Sequence, residues 1–315
     1  MTYGIPYMGS KNQIAEKIID FLASGKRFVD LFGGGFAMSH CALLTGKYDR
    51  VFYGDTNPLL PKLIRDAICG KYNLKTFKPP WVSREEFTAK KETDGYIKYV
   101  WSFGNNGEDY LFAKEIESNK RLGHDYCVDK TPIDGIPNCD ADDIETRRKF
   151  LNQFCKKEIA ARMAANPTLK DARLAQLAQL TRLAQLEQLT RLAQLERLEQ
   201  LAGRVEIQCA SYTDYAHRSG DVVYCDPPYE SARGYNGAKF DHKGFYDWVF
   251  AQPYPVYFSS YEITDSRFTP LWRTKKRSLL NGARSYLQKT EYVYGNRAAT
   301  AFERTRSLCL EVKND

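Results

Sequence analysis

The chain lacks the residue patterns that mark metal sites, secretion and membrane insertion. Its eight cysteines form no Cys-x-x-Cys pair and its four histidines are scattered, which argues against a zinc site. No charged-then-apolar leader opens the sequence, and no run of about 18 apolar residues predicts a membrane-spanning helix. We therefore expect a protein of the reducing cytoplasm, with free thiols, no metal and no membrane partner.

Length and charge narrow the class only slightly. A chain of 315 residues can bury a full core and form one large or two modest domains. Its net charge of +7 suits a polyanionic partner such as DNA, although many soluble proteins are as basic.

The most informative segment is Asp-Pro-Pro-Tyr at residues 226–229, directly after a short apolar run that predicts a strand. The exocyclic amine of a nucleobase attacks a methyl sulfonium only when acceptors draw its two hydrogens out of the ring plane. Asp226 can be one acceptor and a proline carbonyl, such as that of Pro227, the other. Tyr229 can stack on the face of the base. The alternative is an ordinary proline turn that closes a buried strand.

A glycine-rich loop earlier in the chain predicts a nucleoside site. Residues 27–31 read as a short buried strand, three glycines follow at 33–35, and residues 36–44 read as a helix. Glycines at this place let the backbone approach a cofactor and turn into a helix whose N-terminus faces it. A glycine-rich connection without a ligand is the alternative.

The next predicted strand ends at Asp55, about 20 residues beyond the glycines, where a carboxylate can accept hydrogen bonds from both ribose hydroxyls. A dinucleotide enzyme would also use such an acid, but Met38 stands where that fingerprint requires its third glycine. In a doubly wound sheet the glycine loop and Asp226 would flank one crevice. We expect cofactor and base to meet there.

Four segments together resemble a known family. They are residues 7–11 (Tyr-Met-Gly-Ser-Lys), 28–35 (Phe-Val-Asp-Leu-Phe-Gly-Gly-Gly), 55–57 (Asp-Thr-Asn) and 226–229. In this order they resemble the motifs of DNA adenine methyltransferases of the Dam-like, alpha-group type, in which a target-recognition region separates the cofactor motifs from the catalytic motif. The resemblance covers residues 1 to about 75 and about 204 to 315.

This resemblance implies an α/β fold, namely a Rossmann-like S-adenosylmethionine-dependent methyltransferase fold with an inserted, mainly helical recognition region. The expected cofactor-binding positions are Tyr7, Lys11, Asp30, Phe32, Gly33, Gly35, Asp55 and Asp226. The expected catalytic residues are Asp226, Pro227 and Tyr229. Tyr7 could instead be a packed aromatic, Lys11 a surface cation, and Asp30 a cap of the glycine loop.

The predicted catalytic domain comprises residues 1–75 and 203–315, and the predicted recognition region comprises residues 76–202. The most distinctive part of that region is 101–107, Trp-Ser-Phe-Gly-Asn-Asn-Gly, followed by aromatic residues. Aromatic and amide side chains in a turn suit base-edge contacts and wedging into a duplex. The segment could also be only a turn.

A leucine falls at every third position from 174 to 201, within a nine-residue repeat that begins at 173. The composition favours a helix. Three residues turn an α-helix by about 300°, so the leucine stripe winds around the axis and cannot lie on one flat surface. We expect a helix that is buried on several sides, bent or broken, or else a repeated three-residue turn. The segment is either an adjustable spacer or a tolerated insertion.

These observations predict site-specific transfer of a methyl group from S-adenosylmethionine to the N6 amino group of adenine in DNA, with the base flipped out of the duplex. Cytosine N4, RNA and protein amide methylation remain alternatives, although Ser or Asn is more usual than Asp at the first motif position in those families. A cofactor-binding but inactive interaction module is the alternative from another class. Pairing with a restriction enzyme is left open.

Overall fold

The computed structural model describes residues 2–166, 168, 171–230, 240–279 and 286–311; for 276–279, 286–289 and 307–311 it describes the backbone alone. Two compact units are present. The first unit comprises Met1–Gly4, Ser10–Pro61 and Leu201–Asp315, and the second comprises Ile5–Gly9 and Lys62–Gln200.

The helices, in chain order, are α1 (Ala15–Phe21), α2 (Ala37–Thr45), α3 (Leu59–Ile68), α4 (Arg84–Lys90), α5 (Gly95–Val100), α6 (Lys114–Asp129), α7 (Ile144–Ala165), α8 (Ala172–Leu180), α9 (Ala184–Ala193), α10 (His242–Ala251) and α11 (Arg297–Glu311). The strands are β1 (Arg27–Asp30), β2 (Arg50–Asp55), β3 (Val205–Cys209), β4 (Asp221–Cys225), β5 (Val256–Ser260), β6 (Pro270–Leu279) and β7 (Tyr286–Gly295).

The first unit is built on a seven-stranded sheet with the order β3-β2-β1-β4-β5-β7-β6. Strands β1 to β5 pair in parallel, whereas β7 lies antiparallel between β5 and β6. The chain winds from β1 outward through β2 and β3 on one side and continues through β4 and β5 on the other. The strand order therefore reverses between β1 and β4, which is where open α/β sheets bind ligands. The predicted α/β, Rossmann-like class is confirmed.

The central strands are buried because helices flank the sheet. Every residue of β1, β4 and β5 is buried, as expected for parallel strands covered on both faces. One core cluster joins Val29 of β1, Val223 of β4, Phe258 of β5 and Phe245 of α10. This packing fixes the carboxyl ends of β1 and β4 side by side.

The leucine repeat breaks into pieces, which is one of the outcomes expected from its winding stripe. Helices α8 and α9 are separated by three residues, and residues Gln194–Arg204 form an unusually long 3₁₀ helix. A 3₁₀ helix has 3.0 residues per turn, so leucines at every third position stay on one face there. Eight leucines of the repeat are buried: Leu177, Leu180, Leu183, Leu186, Leu189, Leu192, Leu195 and Leu198.

The break between α8 and α9 is stabilised by hydrogen bonds from Lys120. Arg182 adopts a left-handed backbone conformation with φ of 55°. The buried Lys120 ammonium of α6 donates to the carbonyl oxygens of Thr181 at 2.5 Å and of Arg182 at 3.2 Å. Leu177 and Leu186, on either side of the break, pack in the core shared with α6 and α7. The repeat is thus part of the core of the second unit.

Candidate active site

Three predicted acids lie at the carboxyl ends of neighbouring strands in the first unit. Asp30 ends β1, Asp55 ends β2, and Asp226 directly follows β4. Because β1 pairs in parallel with both β2 and β4, these ends meet at one edge of the sheet, at the point where the strand order reverses.

The glycine loop is held against the end of β2. The Asp55 carboxylate accepts hydrogen bonds from the backbone amides of Gly34 at 2.9 Å and Asn57 at 2.8 Å, one on each oxygen. A Cβ atom at Gly33 would lie 2.1 Å from the Tyr53 ring, so only glycine fits there. Each Asp55 oxygen retains a lone pair. Burial raises the pKa of the Asp55 carboxyl.

Asp30 is a buried carboxylate with one unused oxygen. Its side chain is 1 % exposed, and Oδ2 accepts a hydrogen bond from the Ser39 hydroxyl of α2 at 2.8 Å. Oδ1 has no hydrogen-bond partner within the part of the chain that the structure describes. Burial, together with the nearby Asp226 and Asp55 charges, raises the pKa of Asp30 to about 7. A buried acceptor of this kind fits a cationic donor from a ligand.

Asp226 is paired with a cation from the N-terminal segment. The Lys11 ammonium, which is 5 % exposed, donates to Asp226 Oδ1 at 2.6 Å and Oδ2 at 2.5 Å. A hydroxyl chain supports the same carboxylate, since Tyr224 donates to Ser259 at 2.9 Å and Ser259 donates to Asp226 Oδ1 at 2.8 Å. Asp226 is therefore oriented by β4, β5 and Lys11 together.

The Tyr229 side chain is held by contacts to its ring and to its hydroxyl group. The Tyr229 ring meets Tyr261 edge-on at 4.7 Å between centroids, and the Lys11 ammonium lies 4.9 Å from the Tyr229 centroid. The Tyr229 hydroxyl donates to Oε1 of Glu291. Burial, with the Asp226 and Glu291 charges, raises the pKa of Tyr229 well above its usual range. Tyr229 therefore remains a neutral, apolar surface beside Asp226.

The two prolines differ in their carbonyl groups. His242 Nε2 lies 2.8 Å from the carbonyl oxygen of Pro228. Since a carbonyl only accepts, the histidine nitrogen is the donor. Pro227 is buried directly beside Asp226.

The two remaining predicted aromatic positions, Phe32 and Tyr7, each pack against aromatic residues of their own unit. Phe32 stacks on Tyr212 at 5.2 Å between centroids and meets Phe245 edge-on at 5.5 Å, so it belongs to an aromatic cluster of the first unit. Tyr7 belongs to the second unit, where its ring lies 5.4 Å from that of Tyr99.

In the second unit, the turn predicted for recognition presents one exposed ring. Phe103 is 66 % exposed, whereas Trp101 is fully buried. Ser102 bridges to Tyr110 across the turn, and the Asn105 carbonyl accepts a hydrogen bond from the amide of Met8 at 3.2 Å. Backbone hydrogen bonds thus close the turn, and Phe103 lies at its surface.

Two residues of the Asp226 cluster were missed by sequence reasoning. Ser259 and Glu291 lie on β5 and β7, two strands that carry none of the predicted site residues. A signal for Glu291 was available, because an acid within a run of aromatic and β-branched strand residues is unusual.

No group of three or more His, Cys, Asp or Glu residues that could hold a metal ion occurs in the described ranges. Among the helices of those ranges, none combines the length and apolar character needed to cross a membrane.

Comparison with known proteins identifies one family. The model of the D12 class N6 adenine-specific DNA methyltransferases matches residues 7–126 and 178–248, which is more than half of the chain. The matched residues include the four motif segments and end before Ser259 and Glu291. A search of curated proteins found no match.

Proposed function

The chain belongs to the D12 class N6 adenine-specific DNA methyltransferase family, and from that premise we propose how its own residues carry out methyl transfer to the N6 amino group of adenine in DNA. The observation that carries the proposal is the Asp226 carboxylate, held by Lys11 and Ser259 at the point where the strand order reverses.

The residues around the glycine loop fit S-adenosylmethionine, the donor that the family uses. S-Adenosylmethionine supplies the methyl sulfonium. The unused Oδ1 of Asp30 fits the cationic amino group of its methionine part, since a buried carboxylate oxygen needs such a donor. The remaining lone pairs of Asp55 fit the ribose hydroxyls. We assign supporting contacts to Lys11, Phe32, Gly33 and Gly35 of the first unit, whereas a cofactor contact of Tyr7 stays an expectation from the family resemblance.

Asp226 and the Pro227 carbonyl are proposed to accept the two hydrogens of the adenine amine. This draws the nitrogen lone pair out of conjugation and directs it at the methyl group. His242 occupies one of the two lone pairs of the Pro228 carbonyl, and Pro227 directly follows Asp226 in the chain, which together favour Pro227 as the second acceptor. Positioning of the amine in a near-attack geometry then supplies much of the acceleration.

Tyr229 is proposed to stack on the adenine after the base has left the duplex. Its ring is kept neutral and is fixed through its hydroxyl, so it offers a rigid π-surface beside Asp226. Stacking of this kind is worth about 1–3 kcal/mol per base.

We further propose a division of labour between the two units. The first unit carries the methyl-transfer residues, and the second, which contains most of the predicted region 76–202, reads the target. The exposed Phe103 of the turn at 101–107 suits insertion between base steps, because apolar wedges partially unstack a duplex.

The test is incubation of the purified protein with labelled S-adenosylmethionine and mixed duplex DNA, followed by digestion to nucleosides and mass spectrometry. N6-methyladenine is the expected product, and Asp226→Ala is the inactive control. N4-methylcytosine would overturn the base assignment. Absence of label from DNA, with the donor still bound, would refute the proposed activity.

A further inference from the structure

The Asp226 carboxylate already accepts three of the four hydrogen bonds that its two oxygens can accept. Oδ1 accepts from Lys11 at 2.6 Å and from Ser259 at 2.8 Å, and Oδ2 accepts from Lys11 at 2.5 Å. A carboxylate oxygen has two lone pairs, so Oδ1 is filled and Oδ2 has one lone pair left beside an ammonium. The amine that Asp226 must hold gains positive charge as the methyl group arrives. A cation at this distance opposes that charge.

A second carboxylate lies within reach of the same cation. Glu291 is fully buried, and its Oε1 lies 3.5 Å from the Lys11 ammonium while accepting from the Tyr229 hydroxyl. Oε2 of Glu291 has no hydrogen-bond partner among the residues described. A buried carboxylate oxygen without a partner is unfavourable.

The distances from the Lys11 ammonium to Asp226 and Glu291 suggest that Lys11 can exchange one carboxylate for the other. Charge-assisted hydrogen bonds are about 2.7–2.9 Å long, so the 3.5 Å contact with Glu291 is less than an ångström too long. The Lys11 ammonium therefore has a short ion pair with Asp226, and a small displacement would give it a hydrogen bond to Glu291 as well. The Tyr229 ring, 4.9 Å from the ammonium, lines the same space.

We propose that Glu291 is a positioning residue that receives Lys11 when the substrate amine displaces it from Asp226. Asp226 is then charged and open to accept from the adenine amine, and the ammonium remains neutralised inside the site. This inference rests on the proposed function of Asp226. It assigns a role to a residue outside the part of the chain that the family model matches.

The test is Glu291→Gln, measured by single-turnover methyl transfer and, separately, by S-adenosylmethionine binding. Glutamine keeps the size of the side chain and an acceptor for Tyr229, but it cannot neutralise an ammonium. We expect the rate constant for transfer to fall by about tenfold or more, while the dissociation constant for S-adenosylmethionine changes by less than about threefold. Glu291→Asp, which keeps the charge, should restore part of the rate.

Two controls separate charge from packing. Glu303 also accepts from a buried tyrosine hydroxyl, Tyr257, at 2.8 Å, and it pairs with Arg306 at 3.3 Å. Glu303→Gln is therefore a matched control, and its transfer rate should stay close to that of the unmodified protein. Tyr229→Phe removes the hydroxyl that binds Glu291 but leaves the carboxylate, so its loss should be smaller than that of Glu291→Gln.

The outcomes are distinguishable. If the unmodified protein methylates no DNA adenine, the proposed function fails first. If it does so and Glu291→Gln transfers equally fast, the exchange alone is refuted. A Tyr229→Phe variant as slow as Glu291→Gln would also refute it, since the hydroxyl contact would then explain the effect. A further outcome is a Glu291→Gln variant that transfers slowly and melts at a lower temperature, with no recovery of the transfer rate in Glu291→Asp. That result would show that Glu291 has a structural role and would overturn the proposal.

Discussion

Substitution of Asp30 by Asn should stabilise the cofactor-free protein and weaken cofactor binding at the same time. Burial raises the pKa of Asp30 from its ordinary value of 3.8 to about 7. The folded state therefore holds this proton more tightly than the unfolded state does. The stability that this carboxyl contributes is fully present below about pH 4 and is lost as the pH rises to about 7.

The size of the effect follows from the same pKa difference. Ionisation of Asp30 at pH 8 therefore destabilises the folded state relative to the unfolded state by about 4 kcal/mol, as an upper figure. Asparagine has nearly the same shape, can still accept from Ser39, and carries no charge. The stability advantage of Asp30→Asn over the unmodified protein should thus grow by about 3 kcal/mol between pH 5 and pH 8.

Hydrogen exchange of the β1 and β4 amides in the cofactor-free protein measures the stability of the first unit without interference from the second. Asp20→Asn, at an exposed aspartate, is the control for the chemical change from aspartate to asparagine. A pH-independent difference for Asp30→Asn would refute the raised pKa.

Calorimetric titration tests the role of Asp30 in binding. Loss of a hydrogen bond to a charged group should weaken S-adenosylmethionine binding by about 10- to 150-fold. Unchanged affinity would show that Asp30 does not hold the amino group of the donor.

Further predictions concern catalysis and the leucine repeat. Asp226→Ala should reduce methyl transfer by about a thousandfold or more, because the charged acceptor for the amine is lost; a circular-dichroism melting curve should show that the fold persists, and retained turnover would contradict the mechanism. Tyr229→Ala should raise the KM for duplex DNA by about tenfold with little change in a cofactor titration, and Phe or Trp should restore most of it; equal losses in both titrations would exclude stacking as its role. Leu189→Ala, at a fully buried position of α9, should destabilise the second unit by about 2–5 kcal/mol in urea unfolding. Deletion of the nine-residue repeat 182–190 removes three buried leucines and should prevent stable folding of the second unit. Unchanged stability, activity and target sequence would show that the leucine repeat is a tolerated insertion.

Much of the first unit could be predicted because its signals are local. The predicted strand directly before residue 226 coincides with β4, and the predicted strand at 27–31 matches β1 to within one residue, since short buried runs can be recognised without their partners. The predicted helix at 36–44 matches α2 to within one residue at each end. The family is confirmed by the match to its model. The roles of the site residues and the domain boundaries stay predictions.

The contacts of the site could not be predicted in the same way. Lys11 and Asp226 are separated by 215 positions in the chain, and Tyr229 and Glu291 by 62. Sequence reasoning treated Lys11 as a cofactor contact or a surface cation, whereas in the structure it is buried and bonded to Asp226. Such pairing depends on strand order and on side-chain direction, which no local pattern encodes.

In the leucine repeat, too, local sequence signals predicted one property and tertiary contacts decided another. A period of three by itself predicted that a straight α-helix could not bury every leucine on one face. Tertiary contacts decided where the segment breaks, because the Lys120 ammonium of α6 reaches the carbonyls of Thr181 and Arg182. Sequence periodicity thus excluded a straight α-helix with all leucines on one face, since helical geometry is local, and it left burial on several sides, a bend, a break and a repeated three-residue turn as the possibilities. Only packing against α6 and α7 fixed the place, since a buried ammonium needs acceptors that another element supplies.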